Sequence, residues 1–196
     1  MAVPSSRTPL PRLATLPDLL AIPEAERFHE ILDGELVPKE LAGPQHGLGQ
    51  GRIRGWLNPF DRRPNGPARP GGWWILTEVT IELALHQIER PDVAGWRRER
   101  MPEVPVDEAY FTLAADWVCE VLSPSTARLD RTRKLAAYAR NRVGHVWFVD
   151  GLAQTLEVLR LDADTYRIAL TAAATERVRA EPFDAIELDL AILWAR

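Results

Sequence analysis

Cysteine is nearly absent from these 196 residues, and the single Cys119 can close no intrachain disulfide and build no multi-cysteine zinc site. Its neighbours Val118, Val121 and Leu122 are apolar, so it reads as a core thiol. Long apolar runs are also missing. Trp117 to Leu122 falls far short of the ~20 consecutive apolar residues of a membrane helix. Met1 to Leu16 lacks the apolar stretch of ~7–15 residues that a secretory signal requires. A cytoplasmic chain with no membrane partner is expected. There is no glycine-rich phosphate loop, no nucleophile elbow and no histidine pair at zinc spacing, so those three chemistries have no foothold. Lysine is scarce: Lys39 and Lys134 stand against 22 arginines.

What is present describes a folded chain. Apolar residues make up 46% and charged residues 27%, which is ordinary globular composition, and the length suits one domain. Residues 1–15, with Pro4, Pro9 and Pro11 and no periodicity, are expected to be a flexible lead, and residues 16–196 the domain. A net charge of −4 gives no overall attraction for nucleic acid. Two segments depart from it locally. Arg52, Arg54, Arg62, Arg63 and Arg69 face only Asp61, and Arg128, Arg131, Arg133, Lys134, Arg140 and Arg142 face only Asp130. Such runs either solvate a surface or meet phosphates.

Local patterns predict a β-rich order with one strong crossover. Order begins near Leu16 with a short helix over 17–22 stopped by Pro23, and the runs 27–32 and 35–37 flank Asp33-Gly34, the strongest short hairpin signal. Residues 43–51 read as loop or helix start, followed by weak helix to Leu57 and then a Pro/Gly-rich loop over 58–72. Strands are expected at 73–79, 80–86, 91–95, 116–122 and 145–150, with a hairpin over 154–171. Because 116–122 is apolar on both faces, it should be central in its sheet. Ser123-Pro124 then starts a helix running to about Asn141.

The anomaly in that strand is Glu120. A carboxylate among Val118, Cys119, Val121 and Leu122 costs several kcal/mol unless it is paired or holds a metal. An arginine partner or a strand end dipping into water would also account for it. Asp116 shares its face at period two, so a paired acid site is open. Asp92 follows Pro91 at a short strand; alone it is a turn residue, yet carboxylates arriving from separate strands are what Mg²⁺ takes.

The stretch Pro91-Asp92, the run Glu120-Val-Leu-Ser-Pro-Ser-Thr, Asp130-Arg131 with Lys134 and Tyr138, and Trp147-Phe-Val-Asp150 together resemble the Uma-type putative restriction endonucleases, a branch of the PD-(D/E)XK nuclease superfamily. The likeness runs from Glu30-Ile-Leu-Asp-Gly-Glu35 through His46 to about Leu161. It implies Asp92 and Glu120 as Mg²⁺ ligands, with Mn²⁺ as a substitute, and Lys134 as a migrated catalytic lysine, because the position two after Glu120 is Leu122. It also suggests Glu35 and His46 as auxiliary members, residues that read locally as an ordinary hairpin glutamate and an ordinary loop histidine. Glu30, Glu78 and Glu82 stay open as ligands of a rearranged site. A helical wheel puts Leu129, Thr132, Leu135, Ala136, Ala139 and Val143 on the buried stripe and Lys134, with Asp130, Ala137 and Tyr138, on the solvent side. For Lys134 to act, the helix must be approached from both sides.

The resulting expectation is an α/β single domain, a restriction-endonuclease-like mixed sheet flanked by helices, acting as a Mg²⁺-dependent endonuclease on DNA. Arg128, Arg131 and Arg133 would contact phosphates, and a homodimer is left open. The rivals are a catalytically inactive module on the same fold that binds nucleic acid or a partner, and a metal-dependent hydrolase of small phosphate compounds.

Overall fold

Short capped helices and β-branched or aromatic runs alternate along the chain in a computed structural model that describes residues 12–39, 43–63 and 70–195. The first helix, α1 (Leu16–Leu20), is capped by Thr15, whose backbone N–H and hydroxyl both donate to Asp18 at 2.8 and 2.9 Å. Ala14 N–H donates to Gly34 O at 2.8 Å, so residues 12–15 are already tied to the domain, while 1–11 of the expected lead lie outside the described residues. Strands β1 (His29–Leu32) and β2 (Glu35–Pro38) form the expected hairpin, with Asp33 and Gly34 at φ of 50° and 81° in the left-handed region this turn requires.

Helix α2 (Pro44–Trp56) begins earlier than its glycines suggest, because Pro44 presets the first turn and Gly49 lets the helix settle against Val121. His46 therefore sits on a helix, not in a loop. The following loop is described at 58–63 and 70–72; residues 64–69, including Arg69, lie outside. Next come β3 (Trp73–Thr77), β4 (Ile81–Ala84), β5 (Gln87–Glu89), β6 (Val93–Arg97) and β7 (Trp117–Leu122). A continuous helical rod follows, made of α3 (Ala127–Leu129), a π-helical segment (Asp130–Lys134) and α4 (Leu135–Arg140). The chain closes with β8 (His145–Asp150), β9 (Thr155–Asp162), β10 (Thr165–Ala173), β11 (Arg177–Val178), β12 (Leu188–Asp189) and α5 (Ala191–Trp194).

A six-stranded mixed sheet runs β10-β9-β8-β7-β6-β3, with β7 and β8 its parallel pair. β7 is buried at every position, as its two-faced apolar pattern predicts. One face carries Trp117, Cys119 and Val121 into a core shared with Ile53, Leu57, Trp147 and Phe183. The other carries Val118 and Leu122 against Tyr138, Val146 and Phe148, and Glu120 points with them. A separate four-stranded sheet, β2-β1-β5-β4, and a small β11-β12 pair were not foreseen.

The rod overturns the helical wheel. Asp130, Lys134, Ala137 and Tyr138 are its buried residues, whereas Thr132 and Ala136 are exposed. The approach from both sides does exist, because the small sheet covers the face that looks polar. Asp116 is corrected as well. Its carboxylate accepts from Arg97 N–H at 2.8 Å and pairs with Arg100 at 2.6 Å, at the opposite end of β7 from Glu120's neighbours, so it forms no acid pair with Glu120.

Candidate active site

Antiparallel pairing fixes Val93 opposite Cys119, so one step further along this register Asp92 lies across from Glu120. β1 brings Glu30, β5 brings Glu89, the end of β2 brings Lys39, α2 brings His46 and the rod brings Asp130, Lys134 and Tyr138. A small cavity of about 70 Å³ is lined by Glu30, Lys39, His46, Asp92, Glu120 and Lys134 among others. Both lysines of the chain converge here.

Asp92 anchors one half. Its Oδ2 accepts the Val121 N–H at 2.7 Å, and its Oδ1 lies 2.9 Å from Lys39 Nζ and 3.2 Å from His46 Nε2. Burial works to raise this carboxyl, but Lys39 and His46 outweigh it and hold Asp92 well below the usual range. Burial opposes the charged form of Lys39, yet the carboxylates, Asp92 first, keep its pKa raised. Lys39 also lies 3.3 Å from Glu78 Oε2 and donates to the Arg90 carbonyl. Glu78 occupies the left-handed region at φ 55°, a strained setting for a residue with a Cβ. Gln50 fixes it by donating to Glu78 Oε1 at 3.1 Å and to the Asp92 carbonyl at 2.8 Å.

Glu120 anchors the other half. Tyr138 donates its hydroxyl to Glu120 Oε1 at 2.5 Å, and Lys134 Nζ lies 2.8 Å from the same oxygen. Burial pushes the Glu120 carboxyl up to about 8, with the Lys134 charge opposing it. Lys134 is 2% exposed and also approaches Glu30 at 3.1 Å, Asp130 at 3.5 Å and Glu89 at 4.0 Å. Burial alone would lower its pKa; the surrounding carboxylates, led by Glu120 and Glu30, hold it well above the ordinary lysine value. Glu89 is pushed well up by burial and by Glu30, and its Oε2 has no hydrogen-bond partner among the described residues.

The sequence-derived residues therefore separate. Asp92, Glu120, Lys134 and His46 meet at one cavity, as do Glu30 and, through Lys39, Glu78. Glu35 does not: it is exposed on β2 and paired with Arg133 at 2.7 Å. Glu82, on β4, does not line the cavity either. Of the arginines, Arg131 is paired with Glu157 and lies 4.8 Å over the Phe148 ring, and Arg133 is held by Glu35 and Asp33. Arg128 is exposed, with no ion pair among the described residues. Glu89 and Gln50 are members that sequence reasoning missed, and Lys39 entered it only as a fallback for Lys134. Its signal was the scarcity of lysine, which applied to it as much as to Lys134.

The donor chemistry fits a divalent cation. One ring nitrogen of His46 and one oxygen each of Glu78 and Asp92 all lie within 4.8 Å of one another, and His46 Nε2 has no aligned hydrogen-bond partner among the described residues. Carboxylate oxygens suit Mg²⁺, and an imidazole shifts preference toward Mn²⁺ and its neighbours. Lys39 places an ammonium among the same carboxylates. No helix among the described residues is long and apolar enough to cross a membrane.

Residues 16–192 match the family described as "Uma2: Putative restriction endonuclease". A crystal structure of a putative nuclease belonging to DUF820 from Anabaena variabilis is similar at 20% identity and a TM-score of 0.71, covering 93% of this chain and 98% of that one. That likeness is one of fold. No curated protein matches the chain.

Proposed function

This chain belongs to the Uma2 family of putative restriction endonucleases, and from that membership we propose that it is a Mg²⁺-dependent endonuclease hydrolysing DNA phosphodiester bonds. The observation that carries the reading is the buried convergence of Asp92, Glu120 and both lysines on one cavity in a chain of this family. A structural ion pair would need one cation for one acid. Here Glu30, Glu78, Glu89, Asp92, Glu120 and Asp130 lie around Lys39, Lys134, Arg90 and His46, so carboxyl groups still outnumber basic groups, which favours an added cation.

When bound, the ion would stabilise charge on the phosphoryl oxygens and supply hydroxide. Asp92 and Glu120 would hold it, with His46 and Glu78 beside Asp92. The three donors of Lys134 face Glu30, Glu120 and Asp130, so it fixes the Glu120 carboxylate. Its effect on the attacking water runs through that carboxylate. Lys39, with 15% of its side chain exposed, is the less enclosed ammonium; its donors face Asp92, Glu78 and the Arg90 carbonyl, so it fixes the Asp92 carboxylate in the same way. Attack by the water oxygen forms the new P–O bond as that water's proton passes to solvent, while the bond to the leaving sugar oxygen breaks; that oxygen departs with the electron pair and takes a proton from solvent.

The test is cleavage of plasmid and defined oligonucleotides with Mg²⁺, with Mn²⁺ and with EDTA, beside a panel of nucleotides and small phosphate esters. Metal-dependent DNA cleavage, reduced at least ~100-fold in Glu120→Gln and Asp92→Asn, supports the reading. Retention of DNA without cleavage by the wild type would identify a binding module. Turnover of small esters alone would identify the other hydrolase.

A further inference from the structure

Beside the acidic site opens a second, larger cavity of about 460 Å³, and the two share Gly43, His46, Val121 and Ser123 as a common wall. Its volume lies in the ~300–1,000 Å³ range of small-molecule pockets. We propose that this cavity receives an unstacked nucleobase of the substrate strand next to the scissile phosphate, so that the enzyme acts on single-stranded or locally opened DNA. The inference rests on the nuclease reading above and names the substrate class of that site.

Adjacency supplies the first argument. Val121 turns its backbone N–H to Asp92 at 2.7 Å, and the same residue lines the larger cavity. The cavity thus begins one residue's thickness from the metal ligands, where the base of a nucleotide held by its phosphate would lie.

The walls supply the second. Of the seven tryptophans, Trp56, Trp73, Trp74, Trp96, Trp117 and Trp147 each meet an aromatic ring or an arginine. Trp194 has no such π contact among the described residues, and it lines this cavity. Its Nε1–H donates to the Ala174 carbonyl at 2.6 Å and its ring, half-buried, packs against the main core, which together hold the indole in place at the cavity wall. Arg52 is fixed alongside by its Nη1–H, which donates to the Leu193 carbonyl at 3.1 Å. At the rim, Leu48 and Leu152 are 51% and 66% exposed, large apolar groups left open to water. A fixed indole, a fixed guanidinium and aliphatic rims suit a flat heterocycle carried on a phosphate chain. Stacking of this kind tolerates any base. A base inside a paired duplex cannot reach such a pocket without leaving its stack.

Equilibrium binding of a short single strand with 2-aminopurine at successive positions tests this in EDTA, where no turnover occurs, beside the matched duplex. The expected result is a change in 2-aminopurine fluorescence at one position and single-strand affinity at least ~10-fold above duplex. Trp194→Ala should weaken single-strand binding by about 10- to 100-fold, with Trp194→Phe restoring most of it. Leu48→Glu, at an exposed rim position, should do likewise in a protein whose melting temperature is unchanged, which keeps the test valid if Trp194→Ala fails to fold. Equal affinity for single strand and duplex, or unaltered binding by Leu48→Glu and a folded Trp194→Ala, overturns the pocket. If metal-dependent duplex cleavage persists in that case, the nuclease reading survives without it. No binding and no cleavage of any DNA overturns both.

Discussion

Replacing Lys134 by methionine removes the one ammonium at the centre of four carboxylates while keeping a side chain of similar length. Glu120 at 2.8 Å, Glu30 at 3.1 Å, Asp130 at 3.5 Å and Glu89 at 4.0 Å then face a thioether in a setting only 2% exposed. Breaking a buried ion pair from one side costs about 3–5 kcal/mol. In a chain of this length, 1 kcal/mol moves the melting temperature by about 2–4 °C, so a fall of roughly 6–20 °C is expected at pH 7.5. Acidification should shrink the loss. At pH 5 Glu120, whose carboxyl is pushed to about 8 and is only part ionised at pH 7.5, is fully protonated in either protein. Thermal melts of wild type and Lys134→Met at pH 7.5 and 5.0, both in EDTA, measure this. A surface lysine would change stability by no more than ~0.5 kcal/mol at either pH. A melting temperature within 2 °C of wild type at pH 7.5, on the scale of that small change, would refute the buried-cluster argument.

Lys134→Arg keeps the charge but forces a wide planar fork into a closed site, and metal-dependent cleavage should fall about a hundredfold; equal rates would remove Lys134 from the mechanism. Metal-free stability should decline as pH rises from about 5 to 8. Glu120 has its folded pKa raised to about 8, so its contribution is complete below the ordinary glutamate value and lost as pH climbs through 8. The lowered Asp92 works the other way and matters only under strong acid. Differential scanning fluorimetry across that window checks the slope, and a steady rise would contradict it. Calorimetric Mn²⁺ binding should vanish in Glu120→Ala and in Asp92→Asn, and unchanged affinity in either would remove that ligand. Arg128→Ala should lower the slope of log affinity for DNA against log salt by about 0.9, one phosphate contact, whereas Arg131→Ala, whose guanidinium is already paired with Glu157, should change it less.

Much of this site was visible in the sequence because apolar context makes a carboxylate conspicuous. Glu120 stood out inside β7, and the Asp33-Gly34 hairpin and the 116–150 crossover followed from turn chemistry and two-faced burial. Hydrophobic periodicity failed on the rod for a physical reason. The surface facing Asp130, Lys134 and Tyr138 is itself charged, so the buried stripe is polar, and a method that equates burial with apolarity selects the opposite face. His46 was suggested only by the family resemblance, because the glycines of its helix argue against the element that carries it. Glu78 depends on a left-handed backbone and on two sheets meeting, and neither is written in its neighbours.

The π-helical segment between Asp130 and Lys134 has a consequence for how the rod tolerates a change in length. A π turn accommodates one residue more than an α turn, and each residue of an α-helix advances the side chain by about 100°. Excising one residue of that segment, such as the solvent-facing Thr132, would let the rod relax to an ordinary helix with α3 and α4 nearly keeping their facings. Excising the equally exposed Ala136 from α4, which has no residue to spare, would instead turn Tyr138 by about that angle away from Glu120 while Lys134 stays beside it. Two exposed positions four residues apart would therefore respond in opposite ways to the loss of one codon.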